Sequence, residues 1–182
     1  MPIETVSVEL GWGPAKLSGV WRPDQAERDA AWELYVELVT RIAVVPLAPG
    51  HGILREALTS LYQIFGATRE ILRKYGPAVA RAPKKGEYRF GYLAVWMLNA
   101  ALRPVLAEWH PALQAWEASR PSRTSVVDHE TTWDRAQDLR VELDRLRRLL
   151  LRYAEILAEV CEAPALIDAT HEIIAQLEPR QP

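Results

Sequence analysis

Between Leu98 and Glu117 the chain sets Asn99, Arg103, Trp109, His110 and Glu117 among two prolines and a strong apolar stripe. An imidazole can move a proton, a guanidinium can hold a carboxylate or phosphate, and an indole can wall an apolar or cationic ligand. Asn99 and Arg103 share a helix face at a spacing of four, inside a run of Val, Trp, Met, Leu and Ala. An unpaired polar group there costs several kcal/mol, so each is expected to have a partner. One account has Asn99 fixing helix register while Arg103 meets a carboxylate or the carbonyls freed at Pro104. The other has Arg103, with Glu117 or His110 nearby, lining a site for an anionic ligand.

Trp109 and Trp133 each lie about eight residues from a turn near 119–124, so a helical hairpin brings them face to face. They then form either an aromatic plug or the walls of a pocket, to which His129 would contribute from the far side. His129 is flanked by Asp128 and Glu130, but adjacent helical residues point about 100° apart and make poor joint ligands. His171-Glu172 has the same weakness. The chain contains no His-Glu-x-x-His, no Cys-x-x-Cys, no glycine-rich phosphate loop, and no serine or cysteine beside a plausible base. No metal, cofactor or catalytic group is therefore expected. The pocket candidates are Asn99, Arg103, Trp109, His110, Glu117, His129 and Trp133.

The one dense basic segment runs from Arg81 to Arg89, where Arg81, Lys84, Lys85 and Arg89 could meet phosphates while Tyr88 or Phe90 stacks on a base. Without a basic helix this is thin support for nucleic-acid binding. The net charge of −2 supplies no global field towards nucleic acid or an anionic membrane. The arginines after Arg135 are interleaved with Asp138, Glu142 and Asp144, a mixed-charge solvated face.

The elements that must position these residues are mostly helical. Residues 3–9 and 15–21 read as a small hairpin that has to lie on helices to be stable. Asp24 caps a first helix to about Val45, with Ala31, Leu34, Leu38, Ile42 and Val45 on one face. A second helix spans about Gly52 to Tyr75, its apolar stripe wide enough for burial on more than one side. Gly76-Pro77 stops it, and a loop reaches about Glu87. A third helical region, Tyr88 to Ala118, keeps its stripe across Pro104 and Pro111 and is expected to kink near Leu102-Arg103 and Trp109-His110. Thr124 or Ser125 starts a fourth helix to about Glu162, and Ala165 to Leu177 closes the chain. The fold class is all-α: an antiparallel bundle of about four long helices, read as one domain over 1–182 with residues 1–22 packed on it.

At 1.5 Å per residue the fourth helix would reach about 57 Å against about 36 Å for the second. Its surplus turns, with Leu149, Leu150, Tyr153 and Leu157, need a cover: the hairpin, the closing helix or a second copy. They are the interface candidates. The single Cys161 cannot form an intramolecular disulfide and sits among apolar neighbours, which fits a reducing cytoplasm. The uncharged stretches 42–54 and 90–102 are 13 residues each, short of a membrane span of roughly 20. The first thirty residues do not resemble a signal peptide.

Glu37-Leu-Val-Thr-Arg41, Ser60-Leu-Tyr with Thr68-Arg69, and Leu98-Asn99 followed by Arg103-Pro104 and Trp109-His110 resemble an uncharacterised group of bacterial helical proteins from defence or conflict gene clusters. The resemblance implies a defence-linked partner protein and assigns no activity or catalytic residue. The functional expectation is a cytoplasmic adaptor or accessory subunit that docks a partner or itself. The alternatives are a small-ligand sensor or enzyme with a pocket between the third and fourth helices, and nucleic-acid binding through 81–90.

Overall fold

Strict alternation of apolar and polar residues builds strand β1 (Val6–Trp12), whose inward side chains Val6, Val8, Leu10 and Trp12 are buried. Gly13 at φ 55° turns the chain into β2 (Ala15–Trp21), antiparallel with Leu10 opposite Leu17. A two-residue strand, β3 (Glu87–Tyr88), adds in parallel beside β2, so the hairpin is part of a three-stranded sheet. Gly19 allows this: a Cβ there would lie 2.6 Å from the Gly86 carbonyl oxygen, the atom that accepts from Val20 N–H. The computed structural model describes residues 3–41, 44–47, 52–82 and 84–177.

The rest is mostly helix. Helix α1 (Gln25–Val39) starts on Asp24 in a full capping box with Glu27 and ends at Thr40, whose hydroxyl bonds back to the Val36 carbonyl. It is thus shorter than expected; Ile42 and Pro49-Gly50 fall outside the described residues. Helix α2 (Leu54–Tyr75) closes at Gly76 with φ 61°. Its Leu54, Leu58, Leu61, Ile64, Thr68 and Ile71 are buried, as its stripe foretold.

The third helical stretch is α3 (Phe90–Trp96), a wider π-turn over Met97–Leu102, and α4 (Arg103–Ala118). Arg103 N–H reaches back five residues to the Leu98 carbonyl. The break falls where Pro104 brings no N–H and crowds the preceding turn. The expected disturbance near Leu102-Arg103 is this π-turn, whereas α4 continues through Pro111.

The fourth helix is divided. Ser125 caps a short α5 (Val126–Thr131), and α6 (Ala136–Cys161) begins ten residues later than α5. Thr131 and Thr132 explain the break, because their hydroxyls bond back to the carbonyls of Asp128 and His129 and compete with the helical ladder. Trp133 fills the gap, buried. At 26 residues α6 is about 39 Å long, so little surplus helix remains. Helix α7 (Ala165–Leu177) packs back on α1 and α6.

One hydrophobic cluster joins the sheet, α1, α2, α3, α4 and α6. Helix α6 lies against both α1 and β1. Leu149, Leu150, Tyr153 and Leu157 are all buried at 7% exposure or less. They are covered within the chain and are not available as an interface, which corrects that expectation.

Among the described residues, three helices are capped by side chains distant in sequence. Glu27, fully buried, accepts Phe90 N–H at 2.9 Å at the start of α3 and pairs with Arg89 at 3.0 Å. Glu130 of α5 accepts Leu54 N–H at 2.8 Å at the start of α2, where Ile53 offers no cap. The Tyr35 hydroxyl accepts Ile167 N–H at 2.7 Å in the first turn of α7 and donates to the Ala163 carbonyl at 3.0 Å. Each satisfies an amide that would otherwise be orphaned at a helix end.

Candidate functional site

Arg55, on the first turn of α2, reaches α4 and binds Glu117 twice, with Nη2 2.7 Å and Nε 3.0 Å from its carboxylate oxygens. Its Nη1 lies 2.8 Å from His110 Nδ1. A guanidinium only donates, so Nδ1 accepts and the ring proton sits on Nε2, which is buried without a hydrogen-bond partner. Burial lowers the His110 pKa, the Arg55 charge adds to this, and Glu117 opposes it. His110 and Glu117, both pocket candidates, are linked through Arg55, which the sequence reading passed over.

His129 lies elsewhere. Its ring stacks on Trp116 at 4.6 Å and 6°, and its Nε2 is 2.9 Å from the Trp116 carbonyl. The Ser119 hydroxyl is 3.5 Å from the same nitrogen but donates to that carbonyl at 2.7 Å. Since Nε2 must itself donate to the carbonyl, it is not a base for Ser119, and no nucleophile is activated here. Glu117, His129, Trp116, Arg120 and Glu130 line a small hollow of about 180 Å³. Glu130 is held by Leu54 N–H and Arg140, and burial raises its pKa against the lowering effect of these two. Among the described residues, no group of three His, Cys, Asp or Glu is placed to hold a metal.

Trp109 and Trp133 meet edge to face, 6.1 Å apart at 87°, both nearly buried. Arg135 sits 4.3 Å over the Trp109 ring and pairs with Glu108 at 2.8 Å. Neither indole lines the hollows described here, and the buried edge-to-face pair packs as an aromatic plug would.

Asn99 and Arg103 are exposed, which corrects their expected burial. They partner each other, Arg103 Nε donating to Asn99 Oδ1 at 2.9 Å. Each lines a different surface hollow. Asn99 borders a groove of about 430 Å³ walled by Ala80, Tyr92, Val95 and Trp96 and rimmed by Arg81. Arg103 borders a recess of about 340 Å³ between α2 and α4, with Tyr62, Phe65, Arg69 and His110. Tyr92 is 49% exposed and Val95 43%. The sequence reading passed over Tyr92 and placed Val95 in the apolar stripe, although Tyr92, Val95 and Asn99 recur at the spacing of one helix face.

The 81–90 segment is less available to phosphates than its composition suggests. Arg89 is tied to Glu27, Arg81 faces Asp24 at 3.9 Å, and Phe90 is fully buried. Lys84 and Lys85 stay exposed, and Tyr88 stacks on Tyr92 at 5.6 Å.

The fold and these hollows define a mostly helical protein with a small N-terminal sheet, capped across its helices by buried carboxylates and a tyrosine. No family model, curated protein or solved structure matches the chain.

Proposed function

We propose that the chain is a non-catalytic cytoplasmic interaction module, an adaptor or accessory subunit, that docks a protein partner on the outer face of α3 and the π-turn. The observation that carries this reading is the pair Tyr92 and Val95, exposed beside half-buried Trp96 in a groove rimmed by Arg81. Aromatic anchors of this kind concentrate binding energy at interfaces. Exposed Lys84 and Lys85, which follow the groove residue Ala82 in sequence, and Arg103, bonded to the groove residue Asn99, lack a carboxylate partner among the described residues. The matching partner is a segment that presents an apolar side chain flanked by Asp or Glu.

A second copy of the chain is a poorer occupant, because a two-fold contact would set this basic face against itself. The burial of Leu149, Leu150, Tyr153 and Leu157 also argues against self-association through those four residues. A four-helix organisation of α1, α2, α3–α4 and α6 is the finer architecture we associate with this role. The stretch Phe90–Ala118 is long and apolar enough to cross a membrane by length and composition, and 56% of its most apolar window is buried inside the chain. We treat it as a core helix with one exposed face. The resemblance to proteins of defence clusters fits such a partner.

The test compares the full chain with Tyr92→Glu and Val95→Glu by crosslinked capture from native cells, with folding checked by circular dichroism. Support is a stoichiometric protein captured by the wild type, lost with either folded variant and weakened by salt. A partner retained at full yield by both variants overturns the placement. So does a purified dimer that the variants dissociate, or recovery of nucleic acid in place of protein.

A further inference from the structure

Beyond partner docking, we infer that the recess between α2 and α4 is a binding site for a small planar aromatic molecule that carries an oxyanion. Tyr62, Phe65 and Arg69 stand on α2 at spacings of three and four, and Arg103, Ala107 and His110 answer them from α4 at spacings of four and three. Both sets therefore present one face to the recess. Its volume of about 340 Å³ suits a small molecule.

Charge selects the ligand. Among the described residues most arginines face a carboxylate; Arg69 and Arg103 do not, and of the residues without such a partner these two line the recess. Arg69 uses Nε on the Phe65 carbonyl at 3.0 Å, and Arg103 uses Nε on Asn99. Both side chains are thus anchored by one nitrogen, with the terminal nitrogens of the fork unassigned. Arg103 is further placed 5.5 Å over the Phe65 ring. Among the described residues, no Asp or Glu lines the recess. Two anchored guanidiniums without counter-charges are suited to bidentate capture of a carboxylate or phosphate.

The remaining walls select the body of the ligand. Tyr62, 59% exposed, and Phe65 offer aromatic faces, and Leu106 and Ala107 supply an apolar floor. The His110 ring closes the inner wall, its Nδ1 held by Arg55 and its Nε2 buried with no hydrogen-bond partner among the described residues. The Tyr62 ring stands at 88° to it, 6.0 Å away.

The test is calorimetric titration of the full chain with adenosine monophosphate, benzoate, adenosine and inorganic phosphate, each to millimolar concentration. Variants are Arg69→Gln, Arg103→Gln and Tyr62→Ala, with Arg73→Gln as an exposed control outside the recess; circular dichroism checks folding. We expect adenosine monophosphate or benzoate to bind, the one that does distinguishing a phosphate source from a carboxylate source. Loss of either lining arginine weakens it by about tenfold or more, while the control leaves it unchanged. Adenosine and inorganic phosphate, each lacking half of the chemistry, bind at least about tenfold more weakly. The inference is overturned if neither aromatic anion binds, if inorganic phosphate binds as well as they do, or if the control variant weakens binding as much as Arg103→Gln.

Discussion

Replacing Glu27 by alanine removes one carboxylate and leaves three groups behind. Phe90 N–H loses its acceptor at 2.9 Å, Asp24 N–H loses its acceptor at 3.2 Å, and Arg89 loses its ion-pair partner at 3.0 Å. The Asp24 side chain still caps Glu27 N–H, so α1 keeps half of its capping box. An orphaned buried amide costs about 1–3 kcal/mol. Removing one partner of a buried pair costs about 3–5 kcal/mol, and the upper part of that range is reduced here because the Arg89 side chain is 22% accessible. These terms overlap, and we expect a loss of about 3–5 kcal/mol. Against a usual total of about 5–15 kcal/mol that is a large fraction. Glu27→Gln keeps one acceptor but turns an NH₂ towards a donor, so it falls between alanine and wild type. The assay is urea denaturation followed by circular dichroism, with Glu37→Ala as the comparison. Glu37 pairs with Arg41 on the surface, where such a pair contributes about 0–1 kcal/mol. If Glu27→Ala fell within about 1 kcal/mol of wild type, the long-range cap would contribute nothing beyond an ordinary surface glutamate, and the argument would fail.

Glu130→Ala should cost about 1–3 kcal/mol by orphaning Leu54 N–H at the start of α2, whereas Glu130→Gln retains an acceptor and should cost less; chemical denaturation ranks the two. His110 has a folded pKa below its unfolded value near 6.5, so the unfolded chain binds the extra proton first. Its contribution to stability is complete above about pH 6.5 and is lost as the pH falls from there towards the lower folded pKa. His110→Gln should therefore show a shallower stability loss than wild type between about pH 7 and 5.5, and parallel curves would refute the assignment. Gly19→Ala drives a Cβ to 2.6 Å from the Gly86 carbonyl and 2.8 Å from the Tyr88 ring, which should detach β3 from β2 at about 1–3 kcal/mol, read as faster amide exchange at Val20.

Local pattern made the hairpin, α2 and the Trp109–Trp133 contact legible in the sequence, because each depends on periodicity or on distance from one turn. The start of α6 was not, since the apolar stripe runs on through 126–135 while Thr131 and Thr132 divert the backbone. The error over Asn99 and Arg103 has a different cause. Buried residues of the third stretch follow a strict spacing of four: Phe90, Ala94, Leu98, Leu102 and Leu106, beside Leu93, Met97, Ala101, Val105, Trp109 and Leu113. On a regular α-helix each step of four drifts by about 40°, so such a series would wind off the core. The π-turn absorbs the drift, keeps both rows buried, and leaves Val95, Asn99 and Arg103 outside. That strict spacing was present in the sequence as a signal. The caps were not visible in the same way: Asp24 and Glu27 announce a capping box, but nothing local links Glu27 to Phe90 at a separation of 63 residues.

The distribution of polar groups narrows where function can reside. Glu27, Glu130, Tyr35 and the Arg55–His110–Glu117 link all use their hydrogen bonds to join elements, so altering them changes the fold before it changes any ligand. The solvent face of α3 and α4 differs, because Tyr92, Val95 and Arg103 can be replaced without breaking a bond between elements; Arg103 bonds only within its own helical stretch and stacks on Phe65. Their contacts between elements are ring contacts at the surface, Tyr92 on Tyr88 and Arg103 on Phe65, and an exposed aromatic side chain adds aggregation risk. Groove and recess meet on this face at the Asn99–Arg103 pair. Substitutions there therefore separate binding from stability, whereas substitutions at the buried carboxylates confound the two.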